Sequence, residues 1–139
     1  MLPIKKAYGY VNRVKEDTTQ VLVFRHSVTE AGIQIPKGTV NTNETTYDAV
    51  IREMKEETGL KDFNVEKLLA KDLWENDDGV LHNRFFYKIN VSDTLDEWDY
   101  NPAGGGDEAV LIFNYFWISS KDDIELSRVH GDYLHLNFN

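Results

Sequence analysis

The chain has 139 residues, 41% apolar and 12% aromatic: enough for one hydrophobic core, too few for a catalytic domain plus a separate regulatory one. Fifteen Lys and Arg against 24 Asp and Glu give a formal net charge of −9, which disfavours non-specific nucleic-acid binding but lets an anionic substrate bind through divalent cations. With no cysteine, disulfides, thiolate zinc sites and cysteine nucleophiles are excluded.

No apolar run reaches the length of a membrane span, and Met1-Leu2-Pro3-Ile4-Lys5-Lys6 does not lead into a secretory h-region. A single cytoplasmic domain over residues 1–139, with no membrane partner, is the expectation. In chain order, Ala7 to Val14 and Gln20 to His26 read as strands, the second continuously apolar at Val21-Leu22-Val23-Phe24. Ile33-Gln34-Ile35 is a short alternating piece stopped by Pro36, and Lys37 to Glu44 reads as a loop. Thr45 to Thr58 reads as a helix, with Thr45 and Asp48 as a capping box and Gly59 as the residue past its end. Two long strands are expected around Val65 to Trp74 and Leu81 to Val91, then an acidic, glycine-bearing loop from Ser92 to Asp107. A strand at Ala109 to Ile118 and a helix near Lys121 to His135 complete the pattern of a mixed sheet with a helix on each face.

At about 100° per residue, Glu53, Glu56 and Glu57 share one stripe of the first helix. Tyr47, Val50, Ile51 and Met54 form a separate apolar stripe, and Ala49 falls among the glutamates, where its small side chain leaves room. Like charges at i,i+3 and i,i+4 destabilise a helix, and Arg52 alone cannot neutralise three acids. Hard divalent cations with oxygen ligands offset that repulsion; a solvated acidic face is the bland alternative.

Reading outward, Gly38 is followed after five residues by Glu44, and after seven more by Arg52-Glu53-Met54-Lys55-Glu56-Glu57-Thr58-Gly59-Leu60. This stretch resembles the complete signature of the Nudix (MutT-like) hydrolases, Gly-x5-Glu-x7-Arg-Glu-U-x-Glu-Glu-x-Gly-U, with Met54 and Leu60 at the two bulky apolar U positions. Average residue usage puts a chance match at about 10⁻⁷ or less. The resemblance implies an α/β/α sandwich with a central mixed sheet, the motif forming loop–helix–loop. It further implies hydrolysis of a phosphate anhydride in a nucleoside diphosphate linked to another moiety, with Mg²⁺ or Mn²⁺ as cofactor. Carried over by position, Glu53, Glu56 and Glu57 are the metal ligands, joined by the backbone carbonyl of Gly38. Arg52 orients the glutamates, and Glu44 is a structural partner. Clustered carboxylates and magnesium supply what such a reaction needs, namely charge neutralisation, an activated water and an aligned leaving group.

Outside the motif, Glu108 is the best later candidate for a base or metal ligand, with Asp107 behind it. Lys37 and Arg25 are candidate phosphate contacts, whereas Arg84 reads better as an ion-paired side chain. Trp74, Phe85, Tyr87, Trp98 and Tyr115 could wall a base site, Trp98 first among them because it sits in the long loop. His26, His82, His130 and His135 show no ligand spacing with the acids. Ile35-Pro36-Lys37-Gly38 resembles the lead-in of dinucleoside polyphosphate hydrolases and of some messenger-RNA pyrophosphohydrolases, while Asn43-Glu44 departs from the usual Gly-Glu. Dinucleoside polyphosphates are slightly favoured. A house-cleaning hydrolase of (oxidised) nucleoside triphosphates and a non-catalytic nucleotide-binding regulator are the alternatives. An RNA 5′ end is the one nucleic-acid partner retained, and a homodimer is compatible although no stretch reads as an interface.

Overall fold

Residues Ala7 to Arg13 are buried without interruption in β1 (Ile4–Lys15), the strand that organises this computed structural model. The structure describes residues 2–27, 31–102, 111–127 and 129–138. β1 runs parallel to β6 (Leu81–Asn90), from Ile4 opposite His82 to Asn12 opposite Asn90. It also pairs antiparallel with β4 (Lys37–Thr39) through Lys6 to Tyr8, and with β2 (Thr18–His26) through Asn12 to Lys15. The turn to β2 uses Glu16 and Asp17 at positive φ (52° and 64°), the backbone twist that a tight hairpin needs.

β5 (Asn64–Glu75) forms one edge beside β6, and β7 (Trp98–Tyr100) the other beside β8 (Phe113–Ile118), giving the order β5-β6-β1-β2-β8-β7. β3 (Ile33–Gln34) adds to β2. The sheet is mixed, as expected. β7 lies inside the stretch expected to be loop, where its pairing with β8 overrides a composition rich in acids and glycine. Lys37–Thr39, also expected as loop, is a strand because β1 offers it an edge.

The helix α1 (Thr46–Thr58) covers one face. Its Val50 and Met54 are buried among Ala7, Val11, Leu22 and Phe24. A Cβ on Gly9 would stand 2.5 Å from Met54 Sδ, so the bare strand at that point lets the helix seat. Ala49, expected beside the glutamates to leave room, is instead fully buried in this core, and Tyr47 is about half exposed.

The second face, carrying Tyr8, Tyr10, Val23, Ile35 and Phe86, is covered by Ile124, Leu126, Tyr133, Leu134 and Phe138. The helix expected over Lys121 to His135 is not formed among the described residues; the segment is turns ending in a 3-10 helix, Leu134–Asn137. Its polar groups are committed to distant strands. Ser127 N–H donates to Ile35's neighbour Ile33 at its carbonyl, His130 Nδ1 accepts from Ile35 N–H at 3.0 Å, and Tyr10 Oη donates to His130 O at 2.7 Å. Short polar side chains also divert the backbone, Asp122 accepting from Ser119 N–H. Among the described residues no helix is long and apolar enough to cross a membrane.

Candidate active site

α1 begins and ends where its caps place it. Thr45 Oγ1 accepts from Asp48 N–H at 3.0 Å, and Gly59, at φ 78°, donates its N–H to Lys55 O. In the preceding loop Asn43 sits at φ 70°, a left-handed conformation that glycine adopts freely and asparagine tolerates better than most residues. The departure from Gly-Glu at this place therefore keeps the turn.

Arg52 ties loop to helix. Its Nε and Nη2 donate to the two Glu44 oxygens at 2.8 and 2.9 Å. Nη1 donates to Glu53 at 2.6 Å and to Glu56 at 3.2 Å, and Nη2 also reaches the carbonyl of Thr39 at 3.0 Å. Glu44 additionally accepts from Asn41 N–H at 2.9 Å. The guanidinium and that N–H hold its carboxyl down to about 2. Glu44 thus stabilises the loop and aims Arg52.

Glu53 and Glu57 show the opposite electrostatics. Burial pushes the Glu53 carboxyl up despite Arg52. Burial, reinforced by the charge of Glu53, pushes Glu57 up to about 7, although Glu57 accepts the N–H of Lys37. A Cβ on Gly38 would fall 1.9 Å from Glu53 Cδ, so this carboxyl rests on a bare Cα that no other residue could provide. Glu56 is the exposed member, its side chain 58% accessible. Among the described residues no three acids or histidines converge as a ready ligand cluster, since Arg52 holds Glu53 and Glu56 while Glu57 faces β4.

Lys37 reaches this edge of the sheet through β4. Lys6, which sequence reasoning missed, joins it there: its Nζ donates to Thr39 Oγ1 at 2.7 Å, and burial and Lys37 lower its pKa. Only the β1–β4 register reveals that proximity. Arg25 is exposed, its guanidinium 4.0 Å from the Phe116 ring centroid, and no described contact joins it to the acids. Trp98 is engaged in packing, stacked on Tyr115 at 5.1 Å with its indole N–H on Thr58 O at 2.9 Å. It lines a groove of about 510 Å³ past the end of α1, with Leu60, Leu95 and Tyr100. Tyr115 is core, its hydroxyl donating to the Glu57 carbonyl at 2.7 Å. Glu108 and Asp107 lie outside the described residues.

A family model described as NUDIX domain matches residues 5–122. RNA pyrophosphohydrolases of Xanthomonas campestris pv. campestris (strain B100) and Stenotrophomonas maltophilia (strain K279a) are each 49% identical over 43 residues. That segment is 31% of this chain and spans only 21% of the length of those curated relatives. Among solved structures, a C. elegans Ap4A hydrolase superposes with TM-score 0.62 at 17% identity, over 85% of this chain and 81% of that one. A UDP-X diphosphatase gives 0.69 at 17% identity, over 98% and 61%. The NUDIX domain of Shewanella oneidensis NrtR complexed with ADP ribose gives 0.69 at 14% identity, over 98% and 84%. At these identities the likeness is one of fold.

Proposed function

The chain belongs to the NUDIX domain family, and on that premise we propose that it is a pyrophosphohydrolase, cleaving a phosphate anhydride in a nucleoside diphosphate linked to another moiety. Dinucleoside polyphosphates are the favoured substrates, and Mg²⁺ or Mn²⁺ the cofactor, in a cytoplasmic setting. One observation carries the reading: the motif is folded so that Arg52 clamps Glu44, Glu53 and Glu56, while Glu53 rests on Gly38.

The donor set suits a hard divalent cation. Glu53 and Glu57 are part-buried, mutually repelling carboxyls with raised pKa values, and oxygen-only ligands of this charge select Mg²⁺ or Mn²⁺ over softer metals. Glu53, Glu56, Glu57 and the Gly38 carbonyl would hold it. When bound, the metal supplies charge neutralisation on the anhydride oxygens and a more acidic water. Arg52 positions Glu53 and Glu56, Glu44 fixes Arg52, and Lys37 and Lys6 supply positive charge for the phosphate chain. Glu108 is retained as base, and Arg25 and Trp98 as outlying substrate contacts. The name of the C. elegans neighbour supports a dinucleoside polyphosphate. The names of the curated relatives favour an RNA 5′ end as the second reading.

The test is a panel with Mg²⁺ or Mn²⁺: dinucleoside polyphosphates, sugar nucleotides, NADH, normal and oxidised triphosphates, and triphosphorylated RNA. Turnover of dinucleoside polyphosphates to two nucleotides is expected. Release of pyrophosphate from triphosphates alone would instead establish the house-cleaning activity, and metal and nucleotide binding without turnover a regulator.

A further inference from the structure

The lead-in to the motif is held from the far end of the chain. Ile35, three residues before Gly38, has its side chain fully buried on the second face of the sheet. Its N–H lies beyond the β2–β3 ladder, which ends with Gln34 opposite Phe24. A buried backbone N–H needs a partner, and His130 supplies it: the ring Nδ1 accepts Ile35 N–H at 3.0 Å, across 95 residues of sequence. The same short strand is gripped a second time where Ser127 N–H donates to Ile33 O at 2.6 Å.

His130 is itself fixed from several sides. It is buried, its ring meets Tyr8 edge-on at 5.7 Å, and its N–H donates to Ser127 O at 3.1 Å. Its carbonyl accepts from Tyr10 Oη at 2.7 Å, and that hydroxyl accepts in turn from Tyr133 N–H at 3.2 Å. The preceding residue, Val129, stands at φ 65°, where a β-branched side chain crowds its own backbone. Strain of this kind persists only where the surroundings over-determine it, and it gathers at sites with a task. Burial, and then the charges of Lys37 and Arg84, push the imidazole down to about 3. The ring is therefore neutral near pH 7, with its proton on Nε2 and Nδ1 left to accept.

From this geometry we infer that His130 is a positioning residue for the acidic motif: it sets Ile35, and through Ile35 and Pro36 the strand β4 against which Glu53 and Glu57 lie. The inference rests on the hydrolase reading above. The coupling is short and stiff. Pro36 has a fixed φ, and its carbonyl accepts Gly9 N–H at 3.0 Å. The next residue, Lys37, gives its N–H to Glu57. The one after it, Gly38, lies under Glu53, where an added Cβ would fall 1.9 Å from Cδ. Tyr8, the ring that His130 meets, is the β1 residue opposite Lys37, so the histidine bears on β4 from a second direction. A small displacement at Ile35 is thus passed to both carboxyls, and a constellation that must hold a metal and aim a water tolerates little such error. The turns that close the chain thereby take part in the chemistry without touching substrate.

The test uses the full chain and three variants. His130→Leu keeps an apolar filling but removes the acceptor, His130→Asn returns a neutral acceptor near the Nδ1 position, and Tyr10→Phe releases the His130 carbonyl while leaving the ring. In metal-free protein, amide hydrogen exchange at Ile35 and Lys37 is expected to quicken by about tenfold in His130→Leu, to recover in His130→Asn and to quicken less in Tyr10→Phe. Val23, in the same core, should exchange as in the wild type. With Mg²⁺ and a substrate that turns over, His130→Leu is expected to lose about 10–100-fold in kcat, with KM nearly unchanged, and His130→Asn to regain most of it. Exchange that quickens equally at Val23 and Lys37, a kcat loss that His130→Asn does not reduce, or exchange at Lys37 that stays as in the wild type marks a core residue only and overturns the inference. If His130→Leu does not fold, Tyr10→Phe carries the same comparison, and unaltered exchange at Ile35 in that variant overturns it. Exchange at Lys37 that follows the series, with no substrate turned over by the wild type, supports the coupling and refutes the hydrolase. Wild-type turnover that His130→Leu leaves at full kcat does the converse.

Discussion

Two arginines organise this molecule, and they stand in opposite surroundings. Arg52 is partly exposed and serves three carboxylates, Glu44, Glu53 and Glu56, so its cluster has a surplus of negative charge. Arg84 is buried, serves Asp72 and Asp132, and lies against the rings of Trp74 and Phe86. The first cluster carries an excess of carboxylates at the surface, and the second is closed inside the protein. Buried ion pairs often add little net stability but are costly to break on one side, so Arg84 bears on the fold where Arg52 bears on the motif.

That contrast can be broken at either end. The largest effect is expected at the acidic ridge: Glu53→Gln or Glu57→Gln should lower kcat by about 10³-fold or more while the melting temperature changes little. Near-normal turnover in both variants would remove the metal-holding role. Next, Arg84→Met should cost about 3–5 kcal/mol in chemical denaturation, because it leaves Asp72 part-buried beside an apolar side chain. Arg52→Met, in contrast, should act mainly on activity, by about 10–100-fold, as expected of a residue that orients ligands.

A smaller effect concerns pH. Burial pushes His130 down to about 3, below its unfolded value near 6.5, so between these limits the unfolded chain holds a proton that the folded one does not. This contribution is complete above about pH 6.5 and is lost as pH falls towards 3, at up to about 1.4 kcal/mol per pH unit. An NMR titration should show the His130 ring signals unmoved through pH 6.5; a midpoint there would refute the shift. The smallest effect belongs to the turn before α1. Asn43→Gly should be neutral to slightly stabilising, and Asn43→Val should destabilise by about 1–2 kcal/mol, both read as shifts in melting temperature.

The same contrast governs how much could be read before the fold was seen. The acidic ridge lies on one helix, so spacing exposed it: Thr45, Gly59 and the 53–57 stripe are local signals, and each stands where its caps or periodicity place it. Lys6 and Lys37 become neighbours only through strand register, which no local pattern encodes, whereas the ion pairing expected of Arg84 is found with Asp72 and Asp132. The segment after Ile118 misled for a related reason. Its apolar residues suit a helix, but its hydrogen-bond partners, Ile33, Ile35 and Tyr10, are about a hundred residues away in the chain. Trp98, expected in a loop as a candidate wall of a base site, packs on Tyr115 because β7 finds an edge on β8.

β1 is gripped by three neighbours simultaneously, β6 in parallel and β4 and β2 in antiparallel. Sliding it by a single position would turn Lys6 and Tyr8 towards the helix, drive Ala7 to the opposite side and take Gly9 away from Met54. All three ladders would have to give way together, so the strand behaves as a fixed ruler. The placement of Lys6 and Lys37 beside the acidic ridge is therefore set when the chain folds.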